Sequence, residues 1–419
     1  MFKQLAIASA VSVAVVLSMS GCEISINDDS VKGSGKIISE TRTAGSFDSI
    51  TNNSPFDVDL VVDGKNSIVV EGDDNFVKEV DVVVEGTTLV IRSKNHGRAH
   101  FGFHFSSKNA PTTVKVSVAS LIKASNTGSG DMHLRQLKNE KLEINNEGPG
   151  DLNASGTTNE LRFHASGSGD VNLRQLSAKT VELNMSGPGD AELGEVTLSL
   201  NADLSGSGDL NVAKMQSEQT TLNISGPGSV NLRGSTKNIE ADLSGSGDFS
   251  IDQIQAEKTT INMSGPGEAT LAGETKLLKL RVSGSGSVDA SRLKIGDADI
   301  RNSGPGNLQF KLLTGNITID TSGSGDIEAD LAMAGTVDIS SDGPGSITLR
   351  GSGKKLTANL NGSGDLHAKE LLLELASVKV NGPGEAMVNV KAADAASATH
   401  SSIRNGSRTV TIDRNGVVN

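Results

Sequence analysis

Residues 186–190 read SGPGD and residues 205–209 read SGSGD. The element G-[SP]-G begins at Gly128, Gly148, Gly167, Gly187, Gly206, Gly226, Gly245, Gly265, Gly284, Gly304, Gly323, Gly343, Gly362 and Gly382. The spacings alternate 20 and 19 without exception, and the middle residue alternates Ser and Pro. The unit is therefore 39 residues long and holds two similar halves. Gly351-Ser352-Gly353 falls outside this register and reads as chance.

Between the glycines the chain alternates apolar and polar residues. In TVELNMS (180–186), Val181, Leu183 and Met185 share one face, and Glu182 and Asn184 the other. Period-2 alternation marks strands, and no helical stripe competes with it. Each half-unit is expected to supply two or three short strands. A unit of about 20 residues cannot bury its apolar face alone and must stack on its neighbours. The expectation is an all-β solenoid, a parallel β-helix of about fourteen or more coils of 19–20 residues. With strands ~4.8 Å apart, fourteen coils make a rod roughly 65–70 Å long. A seven-bladed propeller of 39-residue blades is the competing architecture. No NG or DG hairpin turn recurs to support it. G-P-G-D reads as a type II turn, with Pro setting φ and the following Gly at φ > 0. The small polar residues before it, Ser166, Ser186 and their equivalents and then Asn361 and Asn381, are placed to form hydrogen-bonded ladders.

The sequence divides into five parts. Residues 1–21 have the layout of a signal peptide: Lys3, an apolar stretch from Leu5 to Leu17, then small residues. Cys22, the only cysteine, follows Ser20-Gly21 and resembles the lipobox of bacterial lipoproteins. That resemblance implies cleavage before Cys22 and its acylation, with Met19 departing from the usual Leu. Residues 22–43 are the lipidated Cys and a polar tether, 44–125 an N-terminal β region and cap, 126–390 the regular coils, and 391–419 a C-terminal tail or cap. Glu23 after the Cys favours outer-membrane sorting in a cell with two membranes. With one cysteine no internal disulfide forms. A net charge of −12 disfavours nucleic acid and anionic headgroups as partners.

Segments SFDSI (46–50), FDVDLVVDG (56–64), IVVEGDDN (68–75), LVIRS (89–93) and VKVSVASLIKASNTGSGDM (114–132) resemble the opening of a known family, the putative auto-transporter adhesin head GIN domain. The resemblance covers about residues 44–390. It implies a right-handed parallel β-helix in a secreted or lipid-anchored envelope protein and brings no catalytic residues.

Three clusters bear on chemistry. The residue after each second Gly forms an acidic row: Asp131, Asp151, Asp170, Asp190, Asp209, Asp248, Glu268, Asp326, Asp365 and Glu385, with Ser229, Ser287, Asn307 and Ser346 in the other places. The expectation is that each Asp caps its own turn; weak binding of a divalent cation such as Ca²⁺ is the alternative. KNHGRAHFGFHFSSKN (94–109) puts His100 and His104 on one strand face and Phe101, Phe103 and Phe105 on the other. It reads as a hairpin covering the open end of the rod, with a metal site at His96, His100 and His104 as the alternative. His133, His164, His367 and His400 are scattered. The G-x-G pairs open no amphipathic helix and are not dinucleotide fingerprints.

These observations predict a non-catalytic, lipid-anchored rod for adhesion, scaffolding or binding a protein or polysaccharide, with no cofactor. The alternatives are a polysaccharide-cleaving β-helix enzyme and a Ca²⁺-binding surface protein. A β-helix enzyme needs loops of unequal length to wall a cleft, and every coil here has 19 or 20 residues.

Overall fold

The computed structural model describes residues 32–94, 111–391 and 410–413, the last by backbone alone. It is an all-β parallel solenoid of about 13 turns, bounded by the fourteen glycine corners. The signal segment, Cys22, the histidine-rich insertion after Lys94 and most of the tail lie outside the described residues.

The N-terminal region builds the base. Its elements are β1 (Ile37–Arg42), β2 (Ser49–Asn53), β3 (Asp57–Val62), β4 (Ser67–Asp73), α1 (Asp74–Val77), β5 (Val80–Glu85), β6 (Thr88–Ser93), β7 (Thr113–Val118) and β8 (Lys123–Asn126). They extend two walls of the rod downward from the first full coil, β9 (Met132–Asn146). On one wall β9 pairs with β3, β3 with β7, β7 with β4 and β4 with β1. On the other, β9 pairs with β8, β8 with β2, β2 with β6 and β6 with β5. Pairing turns antiparallel at β4 and β5, so the parallel stack ends there. Phe47, Phe56 and Phe76 lie in the core of this base. The single helical turn α1 contributes Phe76 and Val77, both buried.

Above the base each coil is one bent strand: β9 has 15 residues, β10 (Leu152–Ala165) 14, β11 (Val171–Met185) 15 and β12 (Ala191–Leu204) 14. The two or three short strands expected per coil are thus continuous, except where Leu308–Leu313 and Ile317–Thr321 stay separate. The 15/14 alternation is the 20/19 alternation of the glycines, and the extra residue is absorbed at a bulged corner inside the strand. In four short coils that corner is a glycine with φ of +132° (Gly156), +124° (Gly234), +122° (Gly273) and +101° (Gly351). In three long ones it is Gln136, Gln253 or Met333, with φ near +60°. Gly351 is therefore not a chance glycine. It stands at a multiple of 39 residues from the other three.

Apolar residues fill the axis in register. Leu173, Leu193, Val212, Leu232 and Ile251 stack in successive coils. Phe310 lies between the small residues Ala290 and Ala329, whereas Phe163 lies between Ile144 and Leu183. Phe163, Phe249 and Phe310 are all buried, as matched volumes in a close-packed interior require.

The glycine corner is not a type II turn. None of the glycines in the fourteen corners has a φ in the left-handed region. In β10 and β11 the in–out alternation runs straight through SGSGD: Gly167 and Gly169 point inward and are buried, while Ser166, Ser168 and Asp170 point outward. Glycine is required there by its neighbours along the axis. A Cβ on Gly167 would lie 2.1 Å from the carbonyl oxygen of Gly148, and the same conflict recurs up the rod. Ser166 N–H donates to the Asn146 carbonyl at 3.0 Å and Gly169 N–H to the Gly148 carbonyl at 3.3 Å, so backbone sits directly on backbone.

Candidate functional site

The acidic row forms a continuous edge, but its chemistry differs from the expected self-capping turn. Each aspartate reaches along the axis. Asp131 Oδ1 accepts the N–H of Asp151 at 2.9 Å, Asp151 that of Asp170 at 2.8 Å, Asp170 that of Asp190 at 2.9 Å and Asp190 that of Asp209 at 2.8 Å. Asp209, Asp248, Asn307, Asp326 and Asp365 do the same for Ser229, Glu268, Asp326, Ser346 and Glu385. Every Asp or Asn with a coil above it serves as an acceptor. Among the described residues no such bond follows Ser229, Glu268 or Ser346, whose oxygens stand at a different reach from the backbone; Ser287 manages one at 3.3 Å. An oxygen two carbons out from Cα, as in Asp and Asn, is thus the reach that spans a coil. A carboxylate accepting a backbone N–H makes a charge-assisted bond, so the row is structural stitching.

The ladder starts one coil earlier than the repeat suggests. Asp57 Oδ1 accepts the Asp131 N–H at 3.0 Å. Gly128 sits over Ser54 and Gly130 over Phe56, so N-S-P-F-D (53–57) is a further corner without glycines. Its signal was S-P-x-D, and buried Phe56 stands at an inward position where later corners have glycine. Asp57 is half-buried, and burial pushes its carboxyl above the usual aspartate range; the hydrogen bond from the Asp131 N–H opposes the rise, and the Asp131 carboxylate adds a smaller share to it.

The serine ridge bonds mostly to backbone. Ser225, Ser244 and Ser303 hydroxyls reach carbonyls of the coil below at 3.4–3.5 Å. The expected side-chain ladder appears where amides take over: Asn361 Nδ2 donates to Asp342 and Asn381 Nδ2 to Asn361, both at 2.7 Å. Inside the corner, buried Asn126 and Asn146 donate to glycine carbonyls, and Oδ1 of each has no partner.

Another column carries ion pairs between coils, such as Lys237–Glu218 at 2.6 Å and Lys294–Glu274 at 2.9 Å. The Lys237 hydrogen bond holds Glu218 below the usual carboxylate range. These pairs are exposed and contribute little each.

His133, His164 and His367 lie on separate coils facing outward, and no group of three or more metal-ligating side chains occurs among the described residues. His96, His100, His104 and His400 lie outside them, as does Cys22.

A groove of about 800 Å³ lies beside the serine ridge, crossing the coils from Asp242 to Asp342. Its floor is the outward position two residues before the ridge. Along that column Asp203, Asn223, Asp242, Asn262, Arg281, Arg301 and Asp320 are in register.

The family model described as "Putative auto-transporter adhesin, head GIN domain" matches residues 46–215, 198–272, 219–327 and 310–405. Among solved structures, one of a putative adhesin from Bacteroides fragilis shares 15% identity, over 85% of this chain and 98% of that one, with a TM-score of 0.21. One of a putative adhesin from Parabacteroides merdae shares 18% over 77% and 100%, with a TM-score of 0.30. One described as a putative lipid binding protein, from Parabacteroides distasonis, shares 16% over 80% and 98%, with a TM-score of 0.24. Among curated proteins none matches this chain.

Proposed function

We propose that this chain, which belongs to the putative auto-transporter adhesin, head GIN domain family, is a non-catalytic rod of the cell envelope, tethered through an acylated Cys22 and offering its length as an adhesive or scaffolding surface. The observation that carries this reading is the continuity of the stack. Coil follows coil at 19 or 20 residues, and the side-chain rungs along the row tie most coils to the next. Chain invested this way yields stiffness and length, since each repeat contacts only its neighbours. A catalytic cleft asks for the opposite, unequal loops around convergent ionisable groups. The three phenylalanines of the coils point into the core, so they offer no platform to a sugar undergoing cleavage. Acylation at Cys22 suits this role, because more than one chain is needed for firm anchoring.

Protease shaving of intact cells tests the placement. Release of rod fragments supports a surface-exposed rod; full protection places it inward. Metabolic labelling with a fatty acid, present in the wild type and lost in Cys22→Ser, tests the anchor. Release of products from uronate-containing or neutral polysaccharides by the purified chain, above blank rates, would overturn the non-catalytic reading.

A further inference from the structure

We propose that the groove around Arg281 and Arg301 binds an acidic saccharide, whose carboxylate or sulfate is held by the two guanidinium groups. This names a ligand class for the rod and so rests on the reading of the rod as a binding surface.

The column that floors the groove follows a rule below this point. Amide and carboxylate alternate, and the amide donates to the carboxylate one coil down: Asn223 to Asp203 at 2.6 Å and Asn262 to Asp242 at 2.7 Å. At the next two coils the rule breaks, and Arg281 and Arg301 stand in register on adjacent coils. Like charges one coil apart repel, so the pair weakens the stack where an amide–carboxylate rung would strengthen it. Among the described residues Arg281 has neither a hydrogen bond nor an ion pair. Arg301 has only long contacts, 3.5 Å to Asp299 and 3.8 Å to Asp320, and its side chain is 55% exposed. Each guanidinium offers five donors in a planar fork suited to a carboxylate or sulfate, and most of those donors are free.

The surroundings fit a sugar better than a lone anion. Ser283 and Ser303 put hydroxyls along one side, and Asp320 and the Asn262–Asp242 rung lie above and below the pair. These are donors and acceptors for sugar hydroxyls, spread over several coils. The groove has no aromatic lining, so recognition works by charge and hydrogen bonds and must weaken with salt. A chain of net charge −12 has no general attraction for polyanions, and Asp242, Asp320 and Asp342 line the same groove, so binding to an acidic sugar rests on the two guanidinium groups alone.

The experiment is calorimetric titration of the full-length chain in detergent with tetragalacturonate, a sulfated tetrasaccharide, a neutral tetrasaccharide and inorganic sulfate. The expected result is binding of an acidic tetrasaccharide, at least tenfold weaker in 500 mM than in 50 mM NaCl. It should be at least tenfold weaker again in Arg281→Gln/Arg301→Gln and unchanged in Lys237→Gln on the ion-pair column. The single variant Arg281→Gln, which breaks no contact in the structure, must show part of the loss with the same circular dichroism as the wild type. Absence of binding, equal binding of the neutral sugar, equal binding of sulfate alone, or full binding by the double variant would each overturn the proposal. Attachment of cells that depends on the chain, measured by deleting it, tests the rod reading separately. A chain that supports attachment but ignores acidic sugars overturns only the groove.

Discussion

Replacing Gly206 by alanine tests why glycine occupies the corner. Its Cβ would lie 2.1 Å from the Gly187 carbonyl oxygen and 2.7 Å from the Ser186 carbonyl carbon. Relief to ordinary contact needs roughly 1 Å more separation between the coils. That shift carries the Ser205–Met185 bond, now 2.9 Å, and the Gly208–Gly187 bond, now 3.3 Å, beyond hydrogen-bonding range. Two backbone bonds at about 1 kcal/mol each, with an overpacking term of about 1–3 kcal/mol, give a loss of about 3–5 kcal/mol. The damage sits at one interface of a linear stack, so the coils on either side should melt as two blocks. Guanidinium unfolding followed by far-ultraviolet circular dichroism should change from one transition to two. Gly64 is the control: its φ is +80° and nothing lies within 4 Å of its Cβ position. There alanine should cost only about 1 kcal/mol, and asparagine, which tolerates left-handed φ, less. At Gly206 asparagine should be no better than alanine. A Gly206→Ala midpoint equal to wild type, or rescue by asparagine at 206, would refute the stacking argument and restore the turn explanation.

Asp190→Asn should keep its rung and leave stability within about 0.5 kcal/mol, while Asp190→Ala should lose about 1–2 kcal/mol by denaturant titration because the Asp209 N–H loses a charge-assisted bond. Asp57→Asn should raise the thermal midpoint at pH 7, since the amide oxygen still accepts the Asp131 N–H and burial no longer opposes a charge. Because burial raises the folded-state pKa, that advantage is complete above the raised value and vanishes below the ordinary aspartate range near pH 4; melting at pH 3 and pH 7 checks both limits. Asn146→Leu should change the denaturant midpoint by no more than about 1 kcal/mol in either direction. It removes a buried unpaired oxygen and installs the residue type found in register at Leu204 three coils further along, but it also removes the Nδ2 bond to the Gly169 carbonyl.

Much of the fold is legible in the residues. A 39-residue period whose 19- and 20-residue halves both repeat favours a stack of nearly identical coils over a propeller of 39-residue blades, and alternation names the inward face of each coil. The same reading mislaid the corner's chemistry. G-P-G-D carries every local mark of a type II turn, yet the glycines of that corner take no left-handed φ. The left-handed glycines of the coils are Gly156, Gly234, Gly273 and Gly351, which carry no Pro or Asp neighbours to announce them. Asp57 escaped notice because Ser54 and Phe56 stand where later corners have glycine.

Sequence alone determined the coil length, the positions of the glycine corners, the strand faces and the aliphatic character of the interior, since these repeat along the chain and need no partner to be seen. Tertiary structure alone decided what each repeated residue touches. A carbonyl one coil away excludes every Cβ from the corner, and an N–H some 19 or 20 residues on claims each aspartate. Adjacency along the axis likewise brings Arg281 beside Arg301. Those contacts are set by the few ångströms between coils, a distance that exists only once the chain has wound onto itself.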